Sequence, residues 1–174
     1  MLPIRKQFTV GHTFIKYKGN YDFDGLYKLV TNWITKRRYE LQEKKYRDKT
    51  DNIMGNEVEI DLTGEKKETP FVRLWIYVSF HMWDYKEKEG KLHGETKNFT
   101  GGRITIDIET KVELDWQGKF KGSKAKKLLG KLYVWIMKKE FEVKNIDAQE
   151  YEALKLEQEV KKFLKMETDT HAYG

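Results

Sequence analysis

The sequence has no cysteine and only two prolines in 174 residues. Without thiolates it can form neither disulfides nor cysteine-ligated zinc or iron–sulfur sites, and thiol redox chemistry is excluded as well. A long apolar run is also missing, because the longest one, Leu74 to Trp83, is about half of the ~20 residues that a membrane-spanning helix needs. The first residues, MLPIRKQFTV, contain no apolar signal-peptide core. We therefore expect a cytoplasmic protein without a membrane partner.

Motifs that carry catalysis are absent too. The sequence contains no HExxH, GxSxG or GxGxxG, and the stretch QGKFKGSKAKK does not have the spacing of a P-loop. The carboxylates Asp107, Glu109, Glu113 and Asp115 alternate with apolar residues, so we expect them to face water on one side of a strand. Solvated carboxylates are poor acid–base pairs. The sequence predicts a non-enzymatic binding module with no cofactor, no metal site and no catalytic residue.

What the sequence does contain is charge and aromatic residues. Lysine and arginine number 34 against 28 acids, a net charge of +6, and aromatic residues make up 14% of the chain. The aromatic content is too high for a disordered chain. The positive charge permits a polyanionic partner. A chain of this length fits a single domain, residues 1–174, that buries roughly 70% of its unfolded surface.

The hydrophobic periodicity predicts an α+β fold of the order β-α-β-β-β-(β)-β-α-α. Successive strands joined by short turns favour a single antiparallel sheet of five or six strands, with one N-terminal and two C-terminal helices packed on one face. A helix-grip-like arrangement is one interpretation of this order. The predicted strands lie at 7–17, 39–49, 57–67, 71–86 and 103–116, with a further short strand around 92–99.

Capping residues and apolar stripes place the three helices. Asp22 is the predicted N-cap of a helix at about 22–37, and Ser123 caps the next one. Asp147 and Glu150 form the expected capping box of the last helix, which runs to about Met166. We expect the middle helix to pack on the sheet through one apolar stripe. That stripe comprises Ala125, Leu128, Leu129, Leu132, Tyr133 and Ile136.

Four segments resemble a set of small lysine-rich proteins from archaea, including nanoarchaeal-type lineages. They are LYKLVTNWITKRRYELQEKKY (26–46), the strand 71–84 ending in HMWD, ELDWQGKF (113–120) and FLKMETDTHAY (163–173). The likeness covers most of the chain. It implies an archaeal cytosolic origin and a single α+β domain. That family carries no assigned function, so the resemblance implies no site residues.

The strand RLWIYVSFHMWDY has two hydrophobic faces, one of plain core residues and one of large residues with polar tips. Three interpretations of the second face are open. It could stack bases or sugars, it could line a helix-grip pocket like that of START domains, or it could pack beneath a helix with its polar tips at the rim. We call these residues the aromatic face: Arg73, Trp75, Tyr77, His81, Trp83 and Tyr85.

Lysines crowd the start of the middle helix, where cations oppose the helix dipole and a bound anion would relieve them. A second basic region comprises Arg37 and Arg38 with Lys44, Lys45, Arg47 and Lys49. The predicted polyanion-binding residues are Lys119, Lys121, Ser123, Lys124, Lys126, Lys127, Arg37 and Arg38.

The leading functional hypothesis is a module that engages a polyanion: RNA, a ribosomal surface or a phosphate-bearing ligand. The alternative is a helix-grip pocket for a small apolar or aromatic ligand, lined by Trp75, Tyr77, His81 and Trp83. A third use of that face is an oligomer interface, and the sequence leaves the oligomeric state open.

Overall fold

A computed structural model describes residues 7–49, 56–92 and 95–166, with only the backbone described at 45–49, 88, 90–92 and 95–98. It confirms the α+β class with a single open antiparallel sheet of five strands. The strands are β1 (Gln7–Tyr21), β2 (Glu40–Lys49), β3 (Glu57–Lys67), β4 (Val72–Leu92) and β5 (Glu95–Leu114). The helices are α1 (Phe23–Lys36), α2 (Lys124–Ile136), α3 (Lys138–Phe141) and α4 (Ala148–Phe163), and a π-helical segment, Glu142–Asp147, joins α3 to α4.

The strand order in the sheet is β1-β5-β4-β3-β2. Strands β2 to β5 follow one another as antiparallel neighbours, and β1 lies at the far edge beside β5. The hairpin of β4 and β5 is longer than predicted, and its outer part takes up the short strand expected around 92–99. Residues 93 and 94 lie outside the described residues.

Helices α1 and α4 pack on the same face of the sheet. Gly64 of β3 leaves room for α1, since a Cβ atom there would lie 2.9 Å from Cγ2 of Ile34. Gly11 of β1 does the same for α4, with 3.1 Å to Cβ of Ala153. The alternating apolar residues of the central strands form the core between these layers. Its fully buried members include Phe80, Ile15, Leu26, Ile34, Leu62, Ile76, Ile106 and Leu156.

Helix α1 begins and ends as the sequence predicts. Asp22 is its N-cap and accepts a hydrogen bond from the Gly25 amide at 2.8 Å. At the other end, the amides of Arg38 and Tyr39 donate to the carbonyls of Thr35 and Ile34. This pair of bonds is a Schellman motif, in which the residue after the cap adopts the left-handed conformation. Arg38, with φ of 64°, occupies the position where glycine is usual.

The predicted packing stripe of α2 is wrong except for Tyr133, whose ring does pack against the protein. Ser123 does cap the helix, accepting from the Lys126 amide at 3.4 Å, but Gly130 and Val134 are the residues of α2 that are buried. Gly130 lies against Phe120, and the Tyr133 ring meets Phe71 at 5.0 Å. Leu128, Leu129, Leu132 and Ile136 of the predicted stripe are exposed. The smaller side chains approach the protein because an aromatic cluster, and not the flat sheet, receives this helix.

Helix α4 starts at Ala148, directly after the predicted cap Asp147, but Asp147 does not act as a cap. Helical structure begins at Lys138, and Asp147 lies within it with helical dihedral angles and no side-chain cap hydrogen bond. The chain passes through the π-helical segment instead of stopping, which buries Asn145. Within the described residues, no helix combines the length and the apolar character needed to cross a bilayer.

Candidate functional site

The aromatic face lies on the side of the sheet opposite α1 and α4. Trp75, Tyr77, His81 and Trp83 alternate with the core residues of β4, and the described part of the chain places no helix over them. Both the helix-packing interpretation and the helix-grip pocket require a helix on this side. The C-terminal helix α4 therefore lies on the other side of the sheet and does not cover the aromatic face.

Carboxylates from the neighbouring strands surround these rings. Arg73 pairs with Glu65 at 3.1 Å and with Glu113 at 2.8 Å. The indole of Trp75 donates to the same Glu113 carboxylate at 3.2 Å, and the Arg73 guanidinium lies 4.8 Å from the Trp75 ring. Burial alone would lower the pKa of Arg73. The hydrogen bonds and charges of Glu113 and Glu65 have the larger effect, so the pKa of Arg73 is raised above its ordinary value.

The polar groups of Tyr77 and His81 in the aromatic face also contact neighbouring side chains. The Tyr77 hydroxyl donates to the Gln7 amide oxygen at 2.9 Å. His81 Nε2 lies 2.5 Å from the Glu57 carboxylate, and its ring stacks on Trp83 with centroids 3.8 Å apart. Trp75 is buried, and Tyr77, His81 and Trp83 are partly exposed. Acids border Trp75 and His81, whereas Lys16, Lys18 and Arg103 line a depression together with Trp83. The phosphates of a nucleic acid would meet like charge beside Trp75 and His81, so this part of the face does not favour nucleic acid.

A shallow depression of about 280 Å³ lies at the centre of this side, above Ser79. Ser79 faces Asp61 on β3 and Asp107 on β5 in the strand register. Burial works to raise the pKa of nearby Glu109, but the Thr9 hydroxyl and the Lys111 ammonium outweigh it and hold that pKa below its ordinary value. Glu109 is thus an ionised carboxylate held by neighbours.

Two residues depart from the predicted alternation of buried and exposed positions. A bulge after Trp83, with Asp84 at φ of 56°, shifts the register so that Tyr85 packs against the core. Asp115, predicted to be solvated, is fully buried and accepts hydrogen bonds from the Lys119 and Phe120 amides at 2.7 and 3.2 Å. The positive φ of Asp115 ends the alternation of β5.

The predicted polyanion residues do not form one surface cleft. Lys119, Lys121, Lys124, Lys126 and Lys127 precede or begin α2, and none of them lines the cleft that Arg37 and Arg38 border. Lys44 lines the depression above Ser79 instead. The side chains of Lys45, Arg47 and Lys49 lie outside the described residues.

The cleft beside Arg37 and Arg38 is the candidate site. It has a volume of about 420 Å³ and lies where the end of α1 and the start of β2 meet the end of β3 and the π-helical segment. Five cationic and two acidic side chains line it, together with apolar and amide groups. The lining residues are Lys36, Arg37, Arg38, Tyr39, Lys66, Glu68, Leu74, Lys144, Asn145, Ala148, Gln149 and Glu152.

Ion pairs hold some of the cations in place. Arg37 pairs with Glu152 of α4 and stacks on Trp33, with 3.6 Å from its guanidinium carbon to the ring centroid. Lys66 pairs with Glu68 at 2.7 Å. Lys36 and Arg38 are exposed at the rim and form no ion pair with a described residue. The cleft thus combines fixed cations with two that are available to a ligand.

Buried polar groups form the inner wall of the cleft. Gln149 is 2% exposed. Its amide oxygen accepts from the Tyr39 hydroxyl at 2.8 Å, while its Nε2 donor has no hydrogen-bond partner among the described residues. Burial raises the pKa of Tyr39 to about 12, which keeps this hydroxyl neutral and a donor. Leaving a buried donor without an acceptor costs roughly 1–3 kcal/mol of stability. A ligand that supplies the acceptor removes this cost.

Sequence reasoning found Arg37 and Arg38 but missed Tyr39, Lys66, Asn145 and Gln149. One signal for Gln149 was present. It precedes Ala153, Leu156 and Val160 at spacings of 4, 7 and 11, so it occupies a position of the buried stripe of α4. A polar residue in an apolar stripe marks a buried polar contact.

No family model, curated protein or solved structure matches the chain. The resemblance to lysine-rich archaeal proteins stays a prediction, and the function is argued from the chemistry of the cleft.

Proposed function

We propose that the protein is a non-enzymatic binding module for a phosphate-bearing anion, which it holds in the cleft between α1, the edge of the sheet and the π-helical segment. The observation that carries this proposal is the Gln149 Nε2 donor, buried in the cleft wall without an acceptor among the described residues. Because this atom has almost no exposed surface, a phosphate oxygen would supply that acceptor after the Gln149 amide turns toward the cleft.

The charge of the cleft supports an anion as ligand. Five cations against two carboxylates leave an excess of positive charge on the lining. Arginine guanidinium groups and lysine ammonium groups form charge-assisted hydrogen bonds with phosphate. The volume of about 420 Å³ lies within the range of small-molecule sites. A mononucleotide or a sugar phosphate therefore fits the proposal better than an RNA duplex or a ribosomal surface.

The backbone of Arg38 gives separate support. A non-glycine residue in the left-handed conformation costs about 1–2 kcal/mol. Such strain is found preferentially at functional sites, where a particular side chain is needed despite its cost. Here the strained position places an arginine at the mouth of the cleft.

The test compares two lysines of the same helix. Lys36 lines the cleft, whereas Lys28 of α1 is exposed and does not line it. Calorimetric titration with inorganic phosphate, a nucleoside monophosphate and a short single-stranded RNA should show saturable binding of one or more of these probes. Lys36→Gln should weaken binding about threefold to tenfold, because one charge-assisted contact is lost, and Lys28→Gln should leave it unchanged.

Salt dependence identifies the size of the ligand. A small phosphate compound contacts few cations, so its affinity should fall gently with salt, while RNA that contacts many should show a steep slope. Steep RNA binding that Lys124→Glu and Lys127→Glu abolish, with Lys36→Gln silent, would transfer the site to the start of α2. Absence of binding to all three probes would contradict the proposal.

The helix-grip alternative keeps one support, the long C-terminal helix α4 on a face of a single antiparallel sheet. Its predicted lining, Trp75, Tyr77, His81 and Trp83, lies on the opposite face. Binding of a hydrophobic dye that persists at high salt, with quenched tryptophan fluorescence, would favour this alternative over the anion cleft.

A further inference from the structure

Helix α2 carries a row of large apolar side chains that face solvent. Leu128, Trp135 and Ile136 are 68%, 70% and 62% exposed, and Leu129 and Leu132 are 56% and 49% exposed. Their spacing places them on one side of the helix, since residues four and seven apart lie above one another. We call these five residues the α2 apolar row. Contiguous apolar surface of this kind marks an interaction site.

Helix α2 packs on the protein through a different side, and this packing leaves the α2 apolar row exposed. Val134 is 1% exposed, and Gly130 touches Phe120, where an added Cβ would lie 2.9 Å from the Phe120 Cβ. Tyr133 completes the contact with the ring of Phe71. Rotating the helix to bury the α2 apolar row would break this small-residue contact. The row is therefore available to a partner.

The charge around the row is of one sign. From Trp116 to Lys139 the sequence has eight lysines and no acidic residue. Lys124, Lys127 and Lys131 lie three and four residues apart, so they form a row of their own beside the apolar one. The partner must then offer apolar depth and negative charge together.

We propose, contrary to the expectation from the sequence of no membrane partner, that α2 docks in the plane of an anionic lipid surface. The α2 apolar row would insert among the acyl chains, with the lysines at the headgroups. A short helix with leucine and tryptophan on one side and lysine on the other has the composition of interfacial helices. The 13 residues of α2 span about 20 Å at 1.5 Å per residue, enough to lie along the interface.

Other occupants fit these observations less well. Two copies of α2 packed against each other would bring two acid-free lysine rows together, at a cost in repulsion. RNA would satisfy the lysines and leave Leu128 and Trp135 in water. None of the α2 residues lines the cleft proposed above, so this inference is independent of that function.

The test uses vesicles of phosphatidylcholine and phosphatidylglycerol in equal amounts, with pure phosphatidylcholine vesicles for comparison. The full chain should co-sediment with the anionic vesicles and much less with the neutral ones. The double variant Leu132→Gln, Trp135→Gln should lose this binding. The matched control is Leu154→Gln, at an exposed leucine of α4, which should bind like the wild type.

The lysine row has its own variant. Each lysine near an anionic surface contributes roughly fivefold in affinity. Lys124→Glu, Lys127→Glu and Lys131→Glu together should therefore weaken vesicle binding at least about a hundredfold, because each change also adds a negative charge. Circular dichroism verifies that each variant is folded. Trp135→Phe should keep the binding and remove the blue shift of tryptophan fluorescence on vesicle addition, which places this ring in the lipid.

Three results would overturn the proposal. One is failure of the wild type to bind anionic vesicles. Another is equal binding of wild type and the lysine variant to both vesicle types. The third is self-association that the Leu132→Gln, Trp135→Gln variant abolishes in the absence of vesicle binding, which would assign the row to a second copy of the chain.

Discussion

At the scale of single residues, Arg38 connects the end of a helix to the proposed ligand. Its left-handed conformation closes the Schellman motif of α1, and its side chain borders the cleft. Glycine would adopt this conformation without strain, whereas arginine cannot. The local rule for ending a helix and the residue actually present disagree here, and such disagreements concentrate at functional sites.

Replacing Arg38 with glycine should therefore have two opposite effects. We expect Arg38→Gly to raise the free energy of unfolding by about 1 kcal/mol through relief of strain, and to weaken phosphate binding at least about tenfold. Urea denaturation measures the first effect and calorimetric titration the second. A variant that loses stability and binding together would show that the arginine has a structural role only.

Gln149 shows how one polar residue shapes the cleft from within. Its side-chain oxygen holds Tyr39, and its backbone carbonyl accepts from the Thr110 hydroxyl at 3.1 Å, which ties α4 to β5. Its Nε2 donor has no acceptor among the residues that the structure describes. The residue thus combines a fixed position with one unused donor, as a ligand-binding group requires.

At the scale of elements, the π-helical segment is the feature that sequence rules missed. Asp147 and Glu150 have the spacing of a capping box, but a capping box acts only where a helix begins. The chain is already helical from Lys138, so the signal has no effect. An added residue within the helical run turns Asn145 inward beside the cleft. π-helical insertions are often retained at functional sites for such reorientation.

Helix α2 is electrostatically weak at its start. Its first turn has no acidic residue and contains Lys124 and Lys126, and Ser123 caps it at a long 3.4 Å. Lys126→Glu would complete a capping box with Ser123 and reverse an unfavourable charge on the helix dipole. We expect this change to stabilise α2 by about 0.5–1 kcal/mol, measured as slower amide hydrogen exchange in its first two turns.

The same substitution should weaken binding to anionic vesicles, because a lysine is replaced by an acid. Lys126→Gln is the matched control, since glutamine can also complete the capping box but adds no negative charge. Unchanged exchange rates in both variants would show that the start of α2 is not limited by capping.

At the scale of the whole molecule, the sheet divides the protein into two unlike sides. One side is closed by α1 and α4 over an apolar core. The other carries rings and carboxylates in contact with each other, and the described chain places no layer above it. The close approach of α1 depends on a missing side chain at Gly64, where a Cβ would lie 2.7 Å from the Ile76 Cγ2.

Gly64→Ala should consequently destabilise the fold by about 1–3 kcal/mol, as overpacking a core does. Both neighbouring groups are methyls of β-branched side chains, which have little rotamer freedom to move aside. Thr105→Ala on the opposite side of the sheet is the control and should change stability by less than about 1 kcal/mol. Thermal denaturation of the two variants compares them directly. Equal melting temperatures would contradict the tight contact of α1 with the sheet.

Local patterns in the sequence determined much of the fold. Alternation over 57–67 and 103–114 placed β3 and the inner part of β5, because a half-buried strand must alternate. Asp22 and Ser123 placed two helix starts, since capping depends only on neighbouring residues. Short connections between strands predicted the antiparallel sheet. Each of these signals acts within a few residues, so tertiary contacts were not needed to interpret them.

Only the tertiary structure decided which surfaces meet. The apolar stripe of α2 predicts burial, but an aromatic cluster around Phe71 accepts the smaller side of that helix and leaves the larger one exposed. The aromatic face is amphipathic in any interpretation, and only the tertiary structure shows that α4 packs on the opposite side of the sheet. The cleft joins Arg38, Lys66 and Gln149 from three separate elements. Long-range packing brings such residues together, and no local pattern encodes it.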